Sequence, residues 1–186
     1  MGAGEGQHDW ETIDRHLPDH DAGSIVEVQV DLLRSLLASS PNGPVSDFPP
    51  TIEELFETFD DLPEWDERYD FIIDLGRELP SPTDELHQPE NLVEGCMSTV
   101  WLKLNPGPES SDPLEIQADS DSLIVKGLIV ILLAFYASKS AAEIIASDVS
   151  QYLKRLGLDQ HLSPQRRNGL FSMIKRINAL AQQAVA

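Results

Sequence analysis

The sequence is short of cysteine, of cations and of long apolar runs, and each shortage removes a class of protein. Cys96 is the only cysteine; one thiol makes no internal disulfide, so nothing points to an oxidising compartment. Lysine and arginine number 13 against 32 aspartates and glutamates, a formal net charge of −19. DNA, RNA and anionic lipid are polyanions and repel such a chain, so neither nucleic acid nor membrane is an expected partner. A basic protein surface is attracted instead, and solubility alone is the other reading of the same charge. The longest unbroken apolar run, residues 128–137, falls well short of the roughly 20 residues that span a bilayer. The opening MGAGEGQHDWETIDRH lacks the basic-then-apolar profile of a secretory signal. A soluble, cytoplasmic protein is expected.

What remains is enough for a packed domain: 186 residues, 41% of them hydrophobic, suit one compact unit with an extra segment. Residues 1–50 are rich in Asp, Glu, Gly, Ser and Pro and close on SSPNGPVSDFPP, a linker composition. Within them SIVEVQVDLLRSLLASS carries both a helical stripe and a strand-like alternation. The stretch is read as an acidic N-terminal extension, with the main domain over 51–186. There Thr51 and Glu54 form a capping box for a first helix, and Pro63 begins a second that Pro80 ends. After Cys96 the period changes to two. Val100, Leu102 and Leu104 alternate with Thr99, Trp101 and Lys103, NPGPESSDP turns the chain, and LEIQAD alternates again, which makes a hairpin. Ser120 or Asp121 is the expected cap of the next helix, SLIVKGLIVILLAFYASK, apolar on nearly all sides and therefore central. Ser140 with Glu143 and Asp148 with Gln151 read as further capping boxes, Gly157 as a helix stop, and Ser163–Pro164 as the start of the last helix. Helices, a hairpin and more helices give an α+β class.

The chemistry narrows to the thiol. The five histidines stand at 8, 16, 20, 87 and 161, with no HExxH, CxxC, glycine-rich phosphate loop or GxSxG elbow. A free cysteine is often a small buried hydrophobe. Here, however, it follows Gly95 in NLVEGCMSTVW, at a loop-to-strand junction where glycine permits unusual angles and close approach. Three uses are open to such a thiol. Acyl attack needs a positioned base, for which His87 and His161 are the candidates. Peroxide reduction needs an outside thiol to resolve it. Sulfur carriage needs least: a lone thiolate holds a sulfane sulfur with no second cysteine to expel it. A plain interaction module with an inert cysteine is a further reading.

Four blocks, EWDERYDFIIDLGRELP, NLVEGCMSTVWLKL, ADSDSLIVKGLIVILL and DQHLSPQRRNGL, resemble the SufE family in that order and spacing, over about residues 60–182. The resemblance implies a small α+β sandwich shared with IscU, with a three-stranded antiparallel sheet whose third strand lies near 91–94. It implies that Cys96 accepts persulfide sulfur from a cysteine desulfurase of the SufS or CsdA kind, stimulates that enzyme, and passes the sulfur to a SufBCD-like cluster scaffold. Pyridoxal phosphate then belongs to the partner, and this chain carries no cofactor or metal of its own. Gly95, Asp121, Lys126 and Arg166 match family positions around the cysteine. Asp121 is tied to the cysteine loop, and Lys126 is expected near Cys96 or a carboxylate. Arg166, a cation in a first helical turn where the dipole disfavours it, is expected in a tertiary or partner contact. Where family members commonly carry glutamines, Met97 and Thr99 stand here. Monomer and homodimer are both compatible with the sequence.

Overall fold

The computed structural model describes residues 48–109 and 111–185; the helix-or-strand segment expected at 24–40 lies outside the described residues. Local signals start most of the elements. Helix α1, Ile52–Asp61, opens on Thr51, whose hydroxyl accepts from Glu54 N at 3.2 Å while Glu54 Oε2 accepts from Thr51 N at 2.8 Å. Helix α2, Trp65–Glu78, starts two residues after Pro63, because the Glu64 amide bonds the Glu67 carboxylate and closes the first turn there. Leu55 and Phe59 of α1, and Ile72 and Leu75 of α2, are buried.

Strands β1, Val100–Asn105, and β2, Glu115–Ser120, form an antiparallel hairpin in the expected alternation. Its register pairs Val100 with Ser120, Leu102 with Ala118 and Leu104 with Ile116, and Val100, Leu102 and Ala118 are buried. The expected third strand is reduced to a single bridge, Leu92 to Trp101. The physical reason lies on either side of it. Pro89–Asn91 is a 3₁₀ turn, and Gly95 swings the backbone away at φ +85°, leaving only Leu92 and Val93 to run beside β1. The described sheet is therefore two-stranded, packed against helices.

Helix α3, Leu123–Tyr136, lies between α2 and β2. Ile124, Leu128, Ile129, Val130, Ile131 and Leu132 are all buried; at about 1.5–3 kcal/mol for each such side chain, this helix dominates the apolar burial. Its N-cap is Ser122, not Ser120 or Asp121. The rest of the chain wraps this core as α4, Ala141–Ala146, α5, Val149–Arg155, α6, Leu158–His161, and α7, Pro164–Ala184. Ser140 and Glu143 close the α4 capping box, whereas Asp148 caps α5 through Ser150 N at 2.9 Å and not through a box with Gln151. Ser163 caps α7 with Pro164 at its first position, and α7 packs along β1 and α4. Among the described residues no helix is long and apolar enough to cross a membrane.

The α2–α3 crossing is set by two glycines. A Cβ at Gly127 would overlap the Ile72 carbonyl oxygen, and one at Gly76 the Leu123 carbonyl oxygen. The two backbones touch, and neither can yield as a flexible side chain would. Gly127→Ala is therefore expected to lower stability by about 3 kcal/mol, read from the midpoint of thermal or urea unfolding. An unchanged midpoint would mean that the helices do not meet backbone to backbone.

Candidate functional site

The loop that carries Cys96 is stapled at both ends. At its start Val93 N donates to Val100 O at 2.9 Å, and Gly95 turns it through the left-handed region. Gly95 also lies against α7: a Cβ there would stand 2.8 Å from Ser172 Oγ, so both the angle and the space call for glycine. At its end the Thr99 peptide is held on both sides by the last residue of β2 and the one after. Thr99 N donates to Asp121 Oδ1 at 3.1 Å. Thr99 O accepts from Ser120 Oγ at 2.8 Å and from Asp121 N at 3.3 Å.

Between these staples Cys96 points inward and Met97 outward. The thiol makes a long, weak contact with Gly169 O of α7, at 3.6 Å. It faces a cavity of about 40 Å³ whose apolar walls are Val125 and Leu128 of α3 and Leu170 and Met173 of α7, with Gln165 and Arg166 at the rim. Burial pushes the Cys96 thiol above its ordinary pKa, because the charged thiolate is poorly solvated there. A free thiol is only a few per cent ionised at pH 7, and this one is less so. In this position it is a poor nucleophile. Met97, by contrast, is 83% exposed, a large apolar side chain in water beside the thiol.

The residues expected around the cysteine divide into two groups. Gly95 and Arg166 stand at the thiol, Arg166 with its guanidinium over the Tyr69 ring at 5.9 Å. Asp121 acts on the loop three residues further along, through Thr99. Lys126 does not approach Cys96: its ammonium pairs with Asp119 Oδ1 at 2.7 Å. Asp119 Oδ2 also lies 2.9 Å from His87 Nε2, and the His87 ring packs on Trp101. Burial alone would raise the Asp119 carboxyl, but the hydrogen bonds from Lys126, His87 and the Ser120 amide, with the Lys126 charge, hold it below the usual aspartate value. His161 stacks on Trp65 at 3.9 Å, and its carbonyl accepts from the Tyr69 hydroxyl. Neither His87 nor His161 lines the Cys96 cavity, and among the described residues no carboxylate does. Nor is any group of three or more His, Cys, Asp or Glu side chains among them placed to hold a metal ion.

Asp119, Ser120, Gly169 and Ser172 are parts of the site that the sequence reading did not single out. Gly169 is the α7 residue that Cys96 lies against, but a Cβ there would stand 3.6 Å from Sγ, an ordinary contact, so the thiol does not by itself call for glycine.

The model of a family described as "SufE: Fe-S metabolism associated domain" matches residues 53–181. An uncharacterized SufE-like protein of Rhizobium etli is 40% identical over 140 residues, 75% of this chain and 95% of that protein. One of Rhizobium meliloti is 40% identical over 133 residues, 71% of this chain and 95% of its own length. Among solved structures, a hypothetical protein from Thermus thermophilus shares the fold with a TM-score of 0.58 at 17% identity, over 72% of this chain and 95% of that one.

If the Asp121–Thr99 bond holds the loop shut, Asp121→Ala should let it open more often. A charge-assisted bond at this exposure contributes about 1 kcal/mol, so iodoacetamide should label Cys96 about five-fold faster in the variant, while the thermal midpoint falls by only the few degrees that the same 1 kcal/mol implies. Equal labelling rates would show that the bond does not restrain the loop.

Proposed function

The chain belongs to the SufE family, and from that premise we propose that it is a sulfur acceptor and carrier of iron–sulfur cluster metabolism, with Cys96 as the atom that is loaded. The donor is the persulfide on a pyridoxal-phosphate cysteine desulfurase. The recipient is a cluster-assembly scaffold. The observation that carries the proposal is the setting of the one thiol: on a short loop anchored at both ends, over an apolar cavity, with no base beside it among the described residues.

A thiol so placed suits transfer that happens only on a partner. In the closed loop it is protonated and shielded, which protects it from oxidation. Docking on the desulfurase draws the loop outward and rehydrates the sulfur. Cys96 loses its proton to solvent or to a group of the partner, and its thiolate attacks the outer sulfur of the donor's cysteine persulfide. The new bond joins Cys96 Sγ to that sulfur; the donor's S–S bond breaks, and its electron pair stays on the donor cysteine as thiolate. No net oxidation occurs. Removal of the persulfide frees the desulfurase for its next turnover, which is how the carrier stimulates it. With no second cysteine in the chain, the loaded sulfur is not displaced within the protein and waits for the scaffold. A hydrolase reading finds no comparable support, since neither candidate histidine lines the cavity at the thiol.

Incubation with a cysteine desulfurase and L-cysteine, followed by intact mass measurement without reductant, is expected to show one added sulfur on the wild-type chain and none on Cys96→Ser. Sulfur retained by the Ser variant, or absent from the wild type in the presence of an active desulfurase, would overturn the proposal.

A further inference from the structure

Three sulfur-bearing residues line the thiol cavity, at three depths: Met97, Cys96 and Met173. Met173 of α7 is 1% exposed. Cys96 is half-buried, its thiol turned toward Gly169 O. Met97 is 83% exposed. Burial is what makes an apolar side chain stabilise a fold, and Met97 has almost none. Packing does not account for a thioether at this position.

The two outer sulfurs differ in what they offer an oxidant. A thiol reacts chiefly as its thiolate, and burial holds the Cys96 thiol toward the protonated form. A thioether has no proton to lose, so its lone pairs are available at any pH. Access and ionisation both favour Met97 while the loop is closed. The products differ as well. Methionine sulfoxide is returned to methionine by sulfoxide reductases, whereas a cysteine carried to the sulfinic or sulfonic acid is rarely recovered. Met97 is thus the sulfur at which oxidation is repairable, one residue from the sulfur at which it is not.

We propose that Met97 is an oxidation site that takes the first equivalent of hypochlorous acid arriving from solvent and so spares Cys96. The thioether lone pair attacks the chlorine and hydroxide leaves. Water then adds to the sulfur, chloride departs, and of the two protons released one neutralises the hydroxide. Sulfur loses two electrons and chlorine gains them; the net products are the sulfoxide, chloride and one proton. The chain's own charge selects the oxidant class. A net charge of −19 repels anionic oxidants such as hypochlorite, whereas hypochlorous acid is neutral and reaches the loop. Hydrogen peroxide is neutral too, but it is slow with thioethers. The inference goes beyond the carrier reading, because it concerns the free chain and needs no desulfurase.

The test treats the folded chain at neutral pH with a limiting amount of hypochlorous acid and maps the products by peptide mass spectrometry. Wild type is compared with Met97→Leu, which keeps an apolar side chain of similar volume, and with Met97→Leu combined with Ile145→Met. Ile145 is an exposed apolar residue of α4 that does not line the cavity. Wild type should carry the added oxygen on Met97 and keep its free thiol, and methionine sulfoxide reductase should remove that oxygen. Met97→Leu should show about three-fold or more oxidation of Cys96, which a methionine at position 145 does not reverse. In urea, where the thiol is no longer buried, the preference for Met97 should fall. Cys96 oxidised as readily as Met97 in the folded wild type would overturn the proposal. So would unchanged Cys96 oxidation in Met97→Leu, full rescue from position 145, a sulfoxide that resists the reductase, or an equal preference in urea. Failure of the unoxidised chain to load sulfur would remove the carrier reading and leave this site standing.

Discussion

The site depends on how closely a loop can lie against a helix backbone. Cys96 reaches its cavity because Gly95 turns the loop over Ser172 with no Cβ in the way, and Gly169 offers the thiol its carbonyl. The same device recurs in the core, where Gly76 and Gly127 let α2 and α3 touch. That crossing fixes the line of α3, and α3 supplies Val125 and Leu128 to the cavity wall. The hairpin supplies the anchor for the other end of the loop through Ser120 and Asp121. Three separate pieces of the fold thus converge on one sulfur atom, and each contributes backbone geometry more than reactive chemistry.

This arrangement trades reactivity for control. Burial suppresses the thiolate, and no neighbouring cation offsets it in the closed loop. The restraints that hold the loop are few: a weak sulfur contact, the Thr99 bonds and apolar packing around a cavity. Each contributes on the order of 1 kcal/mol, so the sum is within reach of the free energy of docking a partner. A deeper or better-bonded cysteine would be safe from oxidation and useless for transfer.

Much of the fold was legible because its signals are local. A capping box spans four residues and a hairpin alternates every two, so Thr51–Glu54, Ser140–Glu143 and the β1–β2 alternation read directly. The misreadings come where a distant contact competes with a local one. Asp121 has the residue type of a helix cap, yet its carboxylate serves Thr99, 22 positions away, and Ser122 takes the cap. Of the two settings expected for Lys126, the thiol or a carboxylate, the structure shows the second, because the hairpin register brings Asp119 beside α3. The third strand failed for a local reason that was present in the sequence, Pro89 and Gly95 closing on it from either side. Cys96 stands out in the sequence by its solitude, and the blocks around it were specific enough to give the family. The cavity, and the helix that forms its floor, were not visible until α7 was placed.

What the whole account needs is that Cys96 sits in a setting hostile to charge until a partner intervenes. Titrating its thiolate in the free chain by ultraviolet absorbance, with the Cys96→Ser protein as blank, reads this directly. The account predicts a midpoint above that of an unperturbed cysteine, about 8.5. A midpoint below that value would contradict it, because the thiol would then be a ready nucleophile in the isolated protein.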